Sequence, residues 1–269
     1  MAELVPRFKE EQVFIIEAFI AHSVRESGRN GVVLGLSGGI DSALVAKLCA
    51  DALGPERVLA LGMPDGKGGK DLKDARRFAK SLAIEFRIVG IGPIASATEK
   101  RVKTSGGDVV AEGNIRARAR MAVIYFIANS EGRIVMGTGN KSEILSGYFT
   151  KFGDAGVDFQ PIGDLYKTQV REMARHLGLP PAIIEKVPTA GLWPGQTDEG
   201  ELGITYDELD RILLGIELQM EPEAIAEKAS VPLDHVRYVG TLVASSVHKR
   251  KPPLIPKLGI RTVGLDWRE

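Results

Sequence analysis

Eight consecutive residues, Gly35-Leu36-Ser37-Gly38-Gly39-Ile40-Asp41-Ser42, leave a short apolar run, GVVLGL, and enter a stretch of helical pattern. A loop so placed exposes main-chain N–H groups at the positive end of a helix dipole, where an anion binds. Gly38 and Gly39 let the backbone approach closely, and Ser37 and Ser42 add hydroxyl donors. The familiar phosphate loop also carries Gly-Lys-Ser/Thr after a four-residue spacer, and that lysine is missing here. The three spaced glycines of the dinucleotide fingerprint are missing too. Asp41 is the informative residue. A carboxylate beside a phosphate cradle repels its ligand unless a cation lies between them, so Asp41 implies Mg2+. The same residues admit a second reading, in which Asp41 or Ser42 is an N-cap and the glycines form a tight turn. The loop alone leaves both open.

The elements that must hold this loop follow from the hydrophobic pattern. Residues 7–28 carry Phe8, Val13, Ile16, Phe19 and Ile20 among charges, as an amphipathic helix does. GVVLGL predicts a strand, SALVAKLCADAL a helix, RVLALGM a second strand, KDLKDARRFAKSLA a helix and EFRIVG a third strand. A helix is expected near 91–103, a loop over 104–111, then a long helix, EGNIRARARMAVIYFIANS, feeding a fourth strand, RIVMGT. Strand and helix alternate, which predicts an α/β fold with a doubly wound parallel sheet. Residues 146–166 lack a clear period, 188–203 are rich in Pro and Gly, and helices are expected around 205–216, 221–229 and 232–248. The reading is one domain over 1–269, with an α/β core at 30–145 and substrate loops and a helical extension at 146–269.

Composition narrows the function classes. The 35 basic and 35 acidic residues cancel, which disfavours a nucleic-acid partner. A single cysteine, Cys49, excludes an internal disulfide, and its helical face with Leu44, Val45 and Leu48 marks it as core packing. The first residues lack a signal-peptide core and no apolar run reaches the ~20 residues of a membrane span, so a cytoplasmic protein without membrane contact is expected.

The stretch SGGIDS resembles the SGGxDS pyrophosphate loop of the ATP pyrophosphatase superfamily, whose members split ATP between its α- and β-phosphates. Further stretches extend the likeness in order: GNIRARARM, GTGNKSE, GYFTKFGDAGVDFQPIGDLYKTQVR, PTAGLWPGQTDE, LGITYDELD and HKRKPP. Together they resemble the ammonia-dependent NAD synthetases, from about residue 30 to 255. The resemblance implies an adenine nucleotide alpha hydrolase-like sheet of order 3-2-1-4-5. It also implies a reaction joining ammonia to the nicotinate carboxylate of deamido-NAD through an acyl-adenylate, with ATP and Mg2+ consumed or required, and a homodimer.

It implies site residues as well. Residues 35–42, Thr138, Lys167 and Thr189 would contact ATP, and Asp41 and Glu143 would hold Mg2+. Asp41 follows the first strand and Glu143 the fourth; in the implied order these strands are neighbours at the switch point, so the two carboxylates converge. Lys167 would supply the charge that the loop lacks, although helical periodicity alone would put it in solvent. Thr189 has the look of an ordinary turn residue. Arg118, Lys151, Asp158, His248 and Lys249 would contact deamido-NAD. Arg116, Arg118 and Arg120 alternate around a helix, so one or two of them at most face one ligand; Arg118 carries the match. His22, His176 and His235 lie on predicted helices without partner patterns. Asp154, in the glycine-rich loop KFGDAGVD, is a candidate to take a proton from ammonia. Two departures stand out: Ile40 replaces a glutamine common in the loop, and residues 63–75 match the family loosely. Competing readings are an adenylating enzyme with another acceptor, such as a tRNA base or a small carboxylate, and a nucleotide sensor without turnover.

Overall fold

The computed structural model describes residues 4–66, 68–102, 108–193 and 195–263. The order is α1 Glu11–Glu26, β1 Gly31–Gly35, α2 Ile40–Leu53, β2 Val58–Gly62, α3 Lys70–Ser81, β3 Glu85–Ile88, α4 Gly92–Arg101, α5 Val109–Glu131 and β4 Arg133–Met136. There follow α6 Lys141–Ser146, α7 Lys167–His176, α8 Pro181–Ile184, α9 Asp198–Leu202, α10 Tyr206–Glu217, α11 Pro222–Ala229, α12 Leu233–Ser245 and α13 Val247–Arg250. The strands form one parallel sheet, β3-β2-β1-β4, with Val33 opposite Leu59 on one side and Val135 on the other.

Both faces of the central strands are covered, as their unbroken apolar runs require. Successive side chains alternate, so Val32 and Leu34 meet α1 and α2, while Val33 packs with Leu59, Leu61 and Val135 under Ile124 and Ala128 of α5. Cys49 is buried in the first of these layers. A separate apolar cluster, built on Tyr206, Leu209, Ile212, Leu213 and Ile225, holds α10, α11 and α12 together and includes Tyr166, whose chain neighbour Leu165 lies in the main core. Among the described residues no helix is long and apolar enough to cross a membrane.

Two expectations change. The fifth strand of the implied order is reduced to a single parallel bridge between Met136 and Phe159. Pro161, two residues on, has no N–H to extend a ladder, and the chain turns at once through Gln160–Leu165. The loop expected at 104–111 ends early because Asp108 caps α5, accepting from the amides of Val110 at 2.9 Å and Ala111 at 3.3 Å. Residues 104–107 lie outside the described residues.

Candidate active site

A cavity of about 850 Å3 opens at the carboxyl ends of β1, β2 and β4, where an open parallel sheet binds its ligands. Its floor is the loop between β1 and α2. The N-cap of α2 is Gly39, and no side chain caps it, so Asp41 is a first-turn residue rather than a cap. That removes the capping half of the second reading and leaves the first-turn amides without a side-chain cap. Gly38 has φ +83°, and a Cβ there would stand 2.6 Å from the carbonyl oxygen of Asp71, so only glycine fits. Ser37 and Ser42 bond across the loop, their hydroxyls 3.1 Å apart, and Ser42 Oγ donates to Gly39 O at 3.0 Å. Ile40 is buried beneath them in the main core.

Asp41 and Glu143 converge. Lys167 Nζ lies 2.5 Å from Asp41 Oδ2 and 3.4 Å from Glu143 Oε1, and its side chain is 2% exposed. Burial by itself would lower the Lys167 pKa, but Asp41 and then Glu143 outweigh it and hold the ammonium charged. Burial pushes the Glu143 carboxyl above the ordinary range, against the opposing pull of Lys167. Lys167 is the first residue of α7, so its side chain leaves the helix end toward the cleft instead of joining the solvent face. Its main-chain N–H donates to Ser142 Oγ at 2.9 Å; Ser142 in turn donates to Asp210, which also accepts from Thr168 N at 2.8 Å. These bonds tie α7 to α6 and α10.

Asn140 joins the two carboxylates. Its Nδ2 donates to Asp41 Oδ1 at 2.9 Å, and its Oδ1 accepts from Glu143 N at 3.0 Å. Glu143 Oε2 closes a capping box on Asn140 N at 3.1 Å. The pattern Asn-x-x-Glu within GTGNKSE carried this signal, though sequence reasoning did not single out Asn140. Thr138 and Thr189 both line the cavity, and Thr189 Oγ1 accepts from Gly191 N at 3.1 Å. Asp198 lines it as well; Tyr206 donates to its Oδ2 at 3.1 Å, while its buried Oδ1 has no hydrogen-bond partner among the described residues.

Asp154 lines the cavity farther along and accepts from Thr150 N at 2.8 Å. Burial raises its pKa, opposed by that amide and by Lys249. Of the residues expected to hold the dinucleotide, Lys249 alone lines this cavity among those described, donating to Gly147 O at 2.8 Å and Phe149 O at 3.0 Å. Arg118 reaches Lys151 O at 3.3 Å, and Lys151 Nζ donates to His248 O at 2.7 Å, forming a chain outside the cavity wall. Asp158 stands apart from these, accepting from Tyr125 Oη and Val135 N at 2.9 Å each beside a second hollow. Within the alternating arginines, Arg116 pairs with Asp65 at 2.6 Å, while Arg120 faces the cavity and donates to Met63 O at 3.1 Å.

Comparison with known proteins identifies the family. Residues 13–253 match the family model described as NAD synthase. The chain is 47% identical over 246 residues to the NH3-dependent NAD+ synthetase of Methanococcoides burtonii, covering 91% of this chain and 94% of that one. Among solved structures it resembles an NMN synthetase from Francisella tularensis, with TM-score 0.82 and 35% identity, over 94% of this chain and 100% of that one. It also resembles a glutamine-dependent NAD+ synthetase from Acinetobacter baumannii in complex with ADP, with TM-score 0.69 and 30% identity, over 98% of this chain and 50% of that one.

Proposed function

Because the chain belongs to the NAD synthase family, we propose that it joins ammonia to the nicotinate carboxylate of deamido-NAD, using ATP and releasing NAD+, AMP and pyrophosphate. The observation that carries this reading is the triad of Asp41, Lys167 and Glu143 above the uncapped start of α2. A carboxylate is a poor electrophile, so it is first activated. A carboxylate oxygen bonds to the α-phosphorus in line with the bond to the bridging oxygen. That bond breaks, and its electron pair leaves with pyrophosphate. Ammonia then adds to the acyl carbon, and the C–O bond to AMP breaks with its electrons going to the phosphate oxygen.

In this scheme residues 35–42, Thr138 and Thr189 hold ATP, and Lys167 stabilises the charge that grows on the phosphates. Asp41 and Glu143 offer hard oxygen donors suited to Mg2+, which is commonly held by one or two carboxylates together with phosphate oxygens and water. When bound, the ion would neutralise phosphate charge and orient the leaving group. Asp154 accepts a proton from the attacking ammonia; its raised pKa makes it a better acceptor than an ordinary carboxylate. Asp154→Asn should therefore raise the KM for ammonium most below neutral pH, and an unchanged KM across pH 6.5–8.5 would remove it from this role.

Arg118, Lys151, Asp158, His248 and Lys249 bind deamido-NAD, and since most of them lie outside the cavity, a second copy of the chain completes their site. The exposed apolar face of α1, where Phe14 is 73% exposed, and Phe126 of α5, 74% exposed, support that homodimer. Light scattering giving a single monomer mass at all concentrations would exclude it.

The test is to incubate the protein with ATP, MgCl2, deamido-NAD and ammonium chloride and to follow NAD+ and pyrophosphate together. Equal appearance of both, dependent on every component, is expected. Nicotinate mononucleotide should be offered in parallel because of the likeness to an NMN synthetase; faster turnover with it would shift the acceptor to the mononucleotide. Pyrophosphate absent with either acceptor would overturn the reading.

A further inference from the structure

The triad leaves the phosphate loop itself without a dedicated cation, because Lys167 is already engaged by Asp41 and Glu143. A second lysine sits on the loop. Lys186, in the segment between α8 and α9, donates from Nζ to Gly38 O at 3.2 Å and pairs with Asp71 Oδ1 at 2.8 Å. It lines the cavity together with Ser37, Gly39 and Thr189. Its partners are loosely committed. A main-chain carbonyl at 3.2 Å is a weak hold, and the Asp71 side chain is 57% exposed against 24% for Lys186. The loop backs directly onto the main chain of Asp71, so the first turn of α3, the loop and Lys186 keep one fixed relation.

We propose that Lys186 is the cation of the phosphate loop: it binds the β- and γ-phosphates of ATP and then the departing pyrophosphate, and Asp71 holds its ammonium in readiness when no phosphate is bound. The proposal rests on reading the loop as a pyrophosphate site. It divides the work between two lysines that approach from different elements. Lys167 stands with the carboxylates of the triad, and Lys186 stands on the loop that receives the leaving group. No proton moves through Lys186. As the bond from the α-phosphorus to the bridging oxygen breaks, the electron pair remains on pyrophosphate, and the ammonium donates hydrogen bonds to the charge that accumulates there.

Inorganic pyrophosphate and AMP are titrated separately, with MgCl2, into the full chain and into Lys186→Met, Lys186→Arg and Asp71→Asn. Lys186→Met should bind pyrophosphate about 10- to 100-fold more weakly, with AMP affinity kept within about twofold. Lys186→Arg should restore most of the loss. Asp71→Asn separates a ligand from a brace: freed from its partner, Lys186 should bind pyrophosphate at least as tightly as before. If Asp71→Asn weakens pyrophosphate as much as Lys186→Met does, the lysine merely braces the loop and the proposal fails. It fails too if Lys186→Met binds pyrophosphate normally, or loses AMP along with it. Should the unaltered chain bind neither pyrophosphate nor ATP, the reading of the loop itself falls, and this proposal with it.

Discussion

At the phosphate end of the cleft, the buried charges of Asp41, Glu143 and Lys167 meet one another from distant elements; three cations among the expected dinucleotide contacts meet main-chain carbonyls. Asp41 is bonded to Lys167 and Asn140, which lie 126 and 99 residues away. Arg118, Lys151 and Lys249 instead donate to the carbonyls of Lys151, His248, Gly147 and Phe149. The first kind of contact is fixed by the fold and costs heavily to break, since it leaves a buried charge unpaired. The second kind is readily exchanged for a ligand's oxygen. One end is built in advance; the other is a set of donors resting on nearby carbonyls, which in the proposed function a ligand's oxygens replace.

Substitutions at the two ends should therefore differ in kind. The largest effect is expected at Asp41: Asp41→Asn should lower turnover at least about 1000-fold in a coupled NAD+ assay, because in the proposed scheme this carboxylate helps hold the ion that neutralises the phosphates. Near-normal turnover would take Asp41 out of the site. Lys167→Met should lose both activity and about 3 kcal/mol of stability by urea titration, since Asp41 and Glu143 would be left without their counter-ion. Loss of activity alone would mean that the phosphate end is not prebuilt in the sense drawn here.

Asp210 sharpens the contrast through pH. Burial pushes its pKa from 3.8 to about 6, opposed by the bonds from Ser142 and Thr168. Between those values the folded chain holds the proton more tightly than the unfolded chain does. Its contribution is therefore complete below about pH 4 and lost as pH rises through about 6, a change of about 2–3 kcal/mol. Urea midpoints should fall over that window in the unaltered protein more steeply than in Asp210→Asn; identical slopes would show that Asp210 ionises without cost. The smallest effects belong to the other end. Arg118→Ala or Lys151→Ala should raise the KM for deamido-NAD about 10-fold and shift stability by less than about 0.5 kcal/mol. A stability loss comparable to that of Lys167→Met would erase the distinction between the ends.

The same contrast governs what sequence could reveal. The parallel sheet, though not its order, which came from the resemblance alone, was legible because each buried strand is an unbroken apolar run followed by a helix of clear period. The fifth strand was not, since the implied order names a place in the sheet but does not register that Pro161 interrupts its ladder. The glycine–serine loop announces itself by local spacing. Lys167 was reachable by resemblance alone: periodicity treats it as one more surface residue of α7, and only its place at the helix start turns it inward. Asn140 and Lys186 act through partners 99 and 148 residues away. No local pattern records such meetings, although the capping box of Asn140 was written in its own motif. Arg120, and not the matched Arg118, faces the cavity, because a helix with arginines at alternate positions does not disclose which of them the core turns toward the cleft.

The ammonium of Lys167 between two carboxylates has a consequence for the order in which reactants load. A pair of acids that already owns a counter-ion gains little by recruiting one from solution, because an incoming divalent ion must first displace the lysine from both carboxylates, with only Asp198 near it as another acid. Nucleotide changes that balance, since its phosphates give the displaced ammonium somewhere to go. Free metal at cellular concentrations should therefore leave the resting enzyme undisturbed, and metal and nucleotide should arrive as a unit. In the proposed scheme the lysine is a latch that only a polyphosphate opens.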